Sequence, residues 1–230
     1  MGPPSAELAQ ANFVIVAATW LITVGALFVF AFRWVRSHRT EGLALLGLVA
    51  VSFTIRALAS PRLPMAPGSA DFTHLSAVGM WWVGRFTSFF GMVYGPVGSL
   101  HTYFLFHLTG PSLDVAFWAT TTLSVLTLLP VHAVARQLTG TPRAGLLGAL
   151  AFVAHPSVIY FGQGTGPETA AAFWLTVGVA ASIRLIVGDR PARSYRYAVL
   201  ACAALFLAYQ CRSEMVAALL IVLGVLVATA

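Results

Sequence analysis

Between two strongly apolar stretches the chain reads "GSADFTHLSAVGMWWVGR", Gly68 to Arg85, placing a carboxylate, an imidazole and a guanidinium in one short segment. On a helix from Ala70 onward, Asp71, His74, Val78, Trp82 and Arg85 fall within one stripe at about 100° per residue, so the three polar groups can face one place. A helix lying in a membrane interface with its polar side in water accounts for the same stripe. Asp71 and His74, three residues apart, are also of the types that contact a divalent cation. Two ligands without a third do not make a metal site, so no cofactor is assigned and a divalent cation is left open.

Further polar residues sit between apolar runs. "YGPVGSLHTYFLFHLTGPSLD" brings Tyr94, His101 and His107; His101 is a candidate for the same site, while His107, beside Phe106 and Leu108, reads as interfacial or packed. "HPSVIYFGQGTGPETAAAF" brings His155, Tyr160, Gln163 and Glu168, and Thr165 to Glu168 fits a capping box ahead of an apolar helix. "AYQCRSEM" sets Arg212 and Glu214 almost together. Charges so near hydrocarbon either snorkel, pair at a helix end or line a polar cavity. Arg56 admits the same readings.

The elements that would position these groups are membrane helices. Of 230 residues, 59% are hydrophobic and only 9% charged, against about a quarter charged in soluble domains. The apolar runs are long, rich in Leu, Val, Ala and Phe, and unlike the alternating strands of a barrel, which gives an all-α polytopic membrane protein. Seven spans are expected, at roughly 13–32, 42–58, 113–135, 144–161, 168–187, 196–210 and 215–230. "MGPPSAELAQ" lacks a basic residue and carries Glu7, so the first span reads as a retained helix and not a cleaved signal.

The net charge of +6 is carried by arginine, with no lysine in the chain. Nine of thirteen arginines (Arg33, Arg36, Arg39, Arg136, Arg143, Arg184, Arg190, Arg193 and Arg196) fall in connections that would share the cytoplasmic side. This is a topology signal, and no nucleic-acid partner is expected. It assigns the 59–112 connection to the outer face, where its aromatic density suits short amphipathic helices in the membrane interface. Cys202 and Cys211, nine positions apart on one expected helix, cannot pair and read as apolar filler.

Taken together, a span ending in Arg56, a Pro-rich lead-in, Asp71, the run "YGPVGSLHTYFLFHLTGPSLD" and the closing "LFLAYQCRSE" resemble the N-terminal half of the GT-C membrane glycosyltransferases. Within that superfamily the branch containing protein O-mannosyltransferases and the aminoarabinose transferase of lipid A looks nearest. The resemblance runs from about Leu43 to Met215 and rests on the order and spacing of loose motifs. It departs in two ways: Asp71 stands between Ala70 and Phe72 without a second acid, and Gly95 replaces a usual proline in "YGPVG". Relatives also have more spans, whereas this sequence stops inside "LLIVLGVLVATA", so a truncated or half-sized relative is expected.

The resemblance implies one GT-C-like transmembrane domain over 1–230, with 13–32 as an extra N-terminal span, 59–112 as the first outer loop and 113–230 as further spans. It implies a multi-pass protein of the bacterial inner membrane with its active face periplasmic or extracellular. The implied reaction moves a sugar from a polyprenyl-phosphate donor to a hydroxyl of a lipid, protein or glycan acceptor, with inversion. Asp71 would be the base and Arg212 the phosphate contact, joined by Arg85 and Arg62; His74, Tyr94, His101, Glu168 and Glu214 would bind substrate. A catalytically inactive subunit of a larger membrane complex is the alternative.

Overall fold

The structure, a computed structural model, describes residues 6–59, 78, 97–161, 167–187, 191–212, 217, 220–221 and 224. The all-α expectation is met: among the described residues there is no strand. The helices are α1 (Ala6–Ser37), α2 (Arg39–Ala59), α3 (Val97–Thr109), α4 (Leu113–Leu126), α5 (Leu128–Thr139), α6 (Pro142–Ala154), α7 (Pro156–Phe161), α8 (Pro167–Val187) and α9 (Pro191–Cys211). Four stretches are long and apolar enough to cross a bilayer: Gln10–Ser37, Arg39–Leu58, Leu113–Thr139 and Pro167–Val187. Helix α1 turns Ile15, Ile22, Phe28 and Phe32 outward, an apolar surface suited to acyl chains and ill suited to water.

The helix boundaries follow from local chemistry. Ser112 starts α4 by accepting a hydrogen bond from the Val115 amide at 3.1 Å. The apolar run then continues through α5 but breaks at Thr127, because Pro130 has no amide hydrogen to offer the Leu126 carbonyl and its ring crowds that turn. Gly140 ends α5 in the left-handed conformation, at φ 72°, with its amide on the Arg136 carbonyl at 2.8 Å, and Thr141 caps the α6 start. The stretch expected to span as 144–161 is divided at His155, which takes an extended conformation ahead of Pro156. That leaves α6 with 13 residues, about 20 Å of helix against a core of about 30 Å. The apolar part of α9, Tyr195–Cys211, is also shorter than the four long stretches. Of the 215–230 stretch only Ala217, Leu220, Ile221 and Gly224 are among the described residues.

Two apolar clusters hold the helices together. The larger joins Val16 and Ala17 of α1, Leu100 and Phe106 of α3, Ala116 and Leu123 of α4, Trp174 and Val177 of α8, and Leu207 and Ala208 of α9. Trp20 stacks on Phe104 and meets Trp174 edge-on within it. The smaller gathers Leu45 of α2, Leu128 of α5, and Ala149 and Val153 of α6. Helix α3 lies within the 59–112 connection, and its residues Val97 to Thr102 are all buried. It is thus a packed element over its first half, where a helix lying on an interface was expected. Val78 is the one described residue of the 70–85 stripe, and it is buried in the larger cluster.

Each hairpin of helices reverses direction while α4 runs on into α5, which sorts the helix ends. Only His38 separates α1 from α2; a Cβ on Gly42 would come within 3.0 Å of Val35 Cγ1, so glycine lets that hairpin close. Phe30, near the end of α1, stacks on Tyr197, near the start of α9. Trp34 of α1 meets His132 of α5. The α1–α2, α5–α6 and α8–α9 turns therefore share one end of the bundle, and Arg33, Arg36, Arg39, Arg136, Arg143 and Arg184 belong to it. The last turn of α2, the first turn of α8 and the last turn of α9 lie at the opposite end.

Candidate functional site

At that opposite end two of the sequence-nominated residues meet. Arg212, directly after α9, donates from Nη1 to Oε1 of Glu168, in the first turn of α8, at 3.1 Å. The helices can approach because Gly178 has no side chain: a Cβ there would fall 2.7 Å from Leu205 Cγ and Cδ2. Glu168 suits its place, since a carboxylate near a helix start is favoured by the amides that point at it. The pair is partly open, with the Arg212 side chain 28% and the Glu168 side chain 41% exposed. Thr165, the partner of Glu168 in the expected capping box, lies outside the described residues; the Glu168 carboxylate ties α8 to the end of α9.

His101 is buried on α3, with Nε2 3.5 Å from Thr120 Oγ1 on α4. His107 is exposed and edge-on to Tyr103. Burial lifts the Tyr103 phenol above its ordinary range, so it stays protonated and able to donate. The sites nominated at Asp71, His74, Arg85, Arg62, Tyr94 and Glu214 lie outside the described residues.

Arg56, three residues before the end of α2, is almost wholly buried, at 1% exposure. It shares the inward face of α2 with Leu45 and Ser52, and its Nη1 donates to both the carbonyl and the hydroxyl of Ser52. Among the described residues Nε and Nη2 meet no acceptor.

The arginine-rich end carries a cluster that the sequence reading did not single out. Glu41, near the start of α2, sets Oε1 2.9 Å from His132 Nε2 and 3.3 Å from Arg136 Nε, both on α5. The His132 contact is close but poorly aligned for a directed hydrogen bond. The Arg136 guanidinium also lies over the Trp34 ring at 5.5 Å, and Trp34 meets His132 edge-on and His38 face-on. A Cβ on Gly145 of α6 would come within 2.8 Å of the His132 ring, so glycine leaves the room this histidine needs. The signal was present as His132 and Arg136 at i, i+4 on an otherwise apolar helix, one turn from its end. Among the described residues no group of three or more His, Cys, Asp or Glu could hold a metal ion.

No family model, curated protein or solved structure matches the chain.

Proposed function

We propose that the chain is a GT-C-like membrane glycosyltransferase that moves a sugar from a polyprenyl-phosphate carrier to an acceptor hydroxyl on the outer face of the membrane, with inversion. The observation that carries the reading is the Arg212–Glu168 contact, which brings two residues 44 positions apart together opposite the arginine-rich end. Positive-inside bias makes the arginine-rich end cytoplasmic and the Arg212 end periplasmic or extracellular. On this reading seven spans are completed by the stretches at 144–161, 196–210 and 215–230, and 60–96 supplies most of the outer loop.

Transfer to a hydroxyl needs a base for the acceptor proton and cations for the departing phosphate. Asp71 takes the first role. Arg212, a rigid fork of donors held in place by Glu168, takes the second with Arg85 and Arg62. His74, Tyr94, His101 and Glu214 complete the substrate site. A second reading, a catalytically inactive GT-C-like subunit within a membrane complex, draws on the same contact: an arginine already neutralised by Glu168 also serves as a plain structural tie between two helices.

The test is sugar transfer by the purified chain in proteoliposomes containing a polyprenyl-phosphate sugar, with Asp71→Asn alongside. Transfer that falls about 10²–10⁴-fold in the variant supports the transferase. Folded protein without turnover, given the full set of sugars and acceptors, favours the inactive subunit.

A further inference from the structure

Three helices repeat one pattern at the arginine-rich end. On α2 the exposed Arg39 is followed four and seven residues later by exposed Leu43 and Leu46. On α6 the exposed Arg143 is followed at the same intervals by exposed Leu147 and Leu150. Helix α1 runs the other way and carries the pattern reversed: Val29 and Phe32 lie seven and four residues before Arg36, and all three are exposed. Positions at these intervals share one stripe of a helix. Each stripe therefore places a guanidinium at the helix end and apolar side chains about 6 and 10.5 Å deeper on the same outward face.

The charge on these stripes is not matched within the described protein. Glu41, the carboxylate described at this end, is turned inward onto His132 and Arg136, and so ties together the two hairpins that carry the stripes. Among the described residues no ion pair involves Arg36, Arg39 or Arg143. Exposed cations above exposed apolar side chains fit a molecule with an anion at one end and hydrocarbon beside it, seated from the side of the bundle. A water-soluble polyanion would satisfy the arginines and leave the apolar residues uncovered. A zwitterionic lipid brings its own cation with each phosphate, which offsets the attraction, whereas a net-negative headgroup keeps it. We infer that the arginine-rich end is a docking surface for anionic phospholipid, with the phosphate diester at Arg36, Arg39 and Arg143 and the acyl chains along the apolar residues of each stripe. The inference rests on helices crossing a bilayer and not on any reaction at the opposite end. Arg184 is the internal control: it is exposed at the same end, but Ala181, Ala180 and Val177 before it are buried, so no outward apolar stripe continues from it.

For the test, the full chain is reconstituted in phosphatidylcholine vesicles doped with spin-labelled phosphatidylglycerol or spin-labelled phosphatidylcholine. The motionally restricted fraction of each label is read by electron spin resonance at low salt. The wild-type chain is expected to hold phosphatidylglycerol about threefold or more over phosphatidylcholine. Arg39→Gln and Arg143→Gln each lower that ratio, and adding Arg36→Gln to the pair removes the preference. Arg184→Gln, which removes the same charge, leaves the ratio within error of wild type. Should the triple variant not fold, the single substitutions at Arg39, Arg143 and Arg184 decide the matter. No preference in the wild-type chain overturns the surface. A loss for Arg184→Gln equal to that for Arg39→Gln or Arg143→Gln overturns the stripes, since diffuse charge then suffices. Displacement of the labelled phosphatidylglycerol by an equimolar oligonucleotide overturns lipid as the occupant.

Discussion

Where α1 turns into α2, one carboxylate serves an imidazole and a guanidinium: Glu41 lies between His132, only 3% exposed, and Arg136, which is capped on its other side by Trp34. At the far end the same residue types are arranged otherwise. Glu168 and Arg212 form a partly exposed pair, and Arg56 is buried with its side-on fork unserved among the described residues. The first arrangement staples the α1–α2 hairpin to the α5–α6 hairpin, since every charge in it is turned on another charge or a ring of the protein. The second leaves the Arg212–Glu168 pair partly open to solvent, and Nε and Nη2 of Arg56 without an acceptor among the described residues. The proposed function places chemistry on an external anion at the second end, while the buried cluster serves stability at the first.

Substitutions can break that contrast. The largest effect is expected for Glu41→Gln, which leaves His132 and Arg136 without their anion and should lower stability by roughly 3 kcal/mol, measured by unfolding in micelles with tryptophan fluorescence. A loss under about 1 kcal/mol would put this cluster on the footing of a surface pair. Next comes Gly145→Ala, whose Cβ meets the His132 ring at 2.8 Å and Arg136 Cβ at 3.0 Å; about 2 kcal/mol is expected to be lost. Gly25→Ala is its control, because a Cβ there meets nothing within 4 Å, and helix propensity should make that variant up to about 1 kcal/mol more stable. The smallest change is expected for Glu168→Gln, about 0.5 kcal/mol, since its ion pair is open to solvent. A loss there as large as that for Glu41→Gln would erase the difference between the two ends.

The long elements were legible because they are set by local composition. Helices α1, α2 and α8 follow from uninterrupted apolar length, and Gly140 with Thr141 and Pro142 marks the α5–α6 turn by its capping chemistry. The division at His155 was also legible in "HPSV", yet the apolar residues on either side of Pro156 had suggested one span. Pairings between distant elements were not legible. Glu168 carried a sufficient local explanation as a capping residue, and nothing nearby in sequence pointed to Arg212. Glu41 stood in an arginine-rich turn that reads naturally as a topology signal, so its burial against α5 emerged only from the packing of two hairpins. The half-matched state of Arg56 is likewise a property of the surrounding helices and not of the α2 sequence.

The division of labour between the ends is tested most directly by comparing two arginines in one assay. Sugar transfer from a polyprenyl-phosphate donor is measured per folded molecule for Arg212→Gln and Arg136→Gln in proteoliposomes. Arg212→Gln is expected to lower turnover by about 10²–10³-fold, as loss of a group that stabilises developing charge does. Arg136→Gln should lower the yield of folded protein while leaving the turnover of what folds within a few-fold of wild type. Equal losses per folded molecule, or a larger loss for Arg136→Gln, would contradict the assignment of chemistry to the Arg212 end.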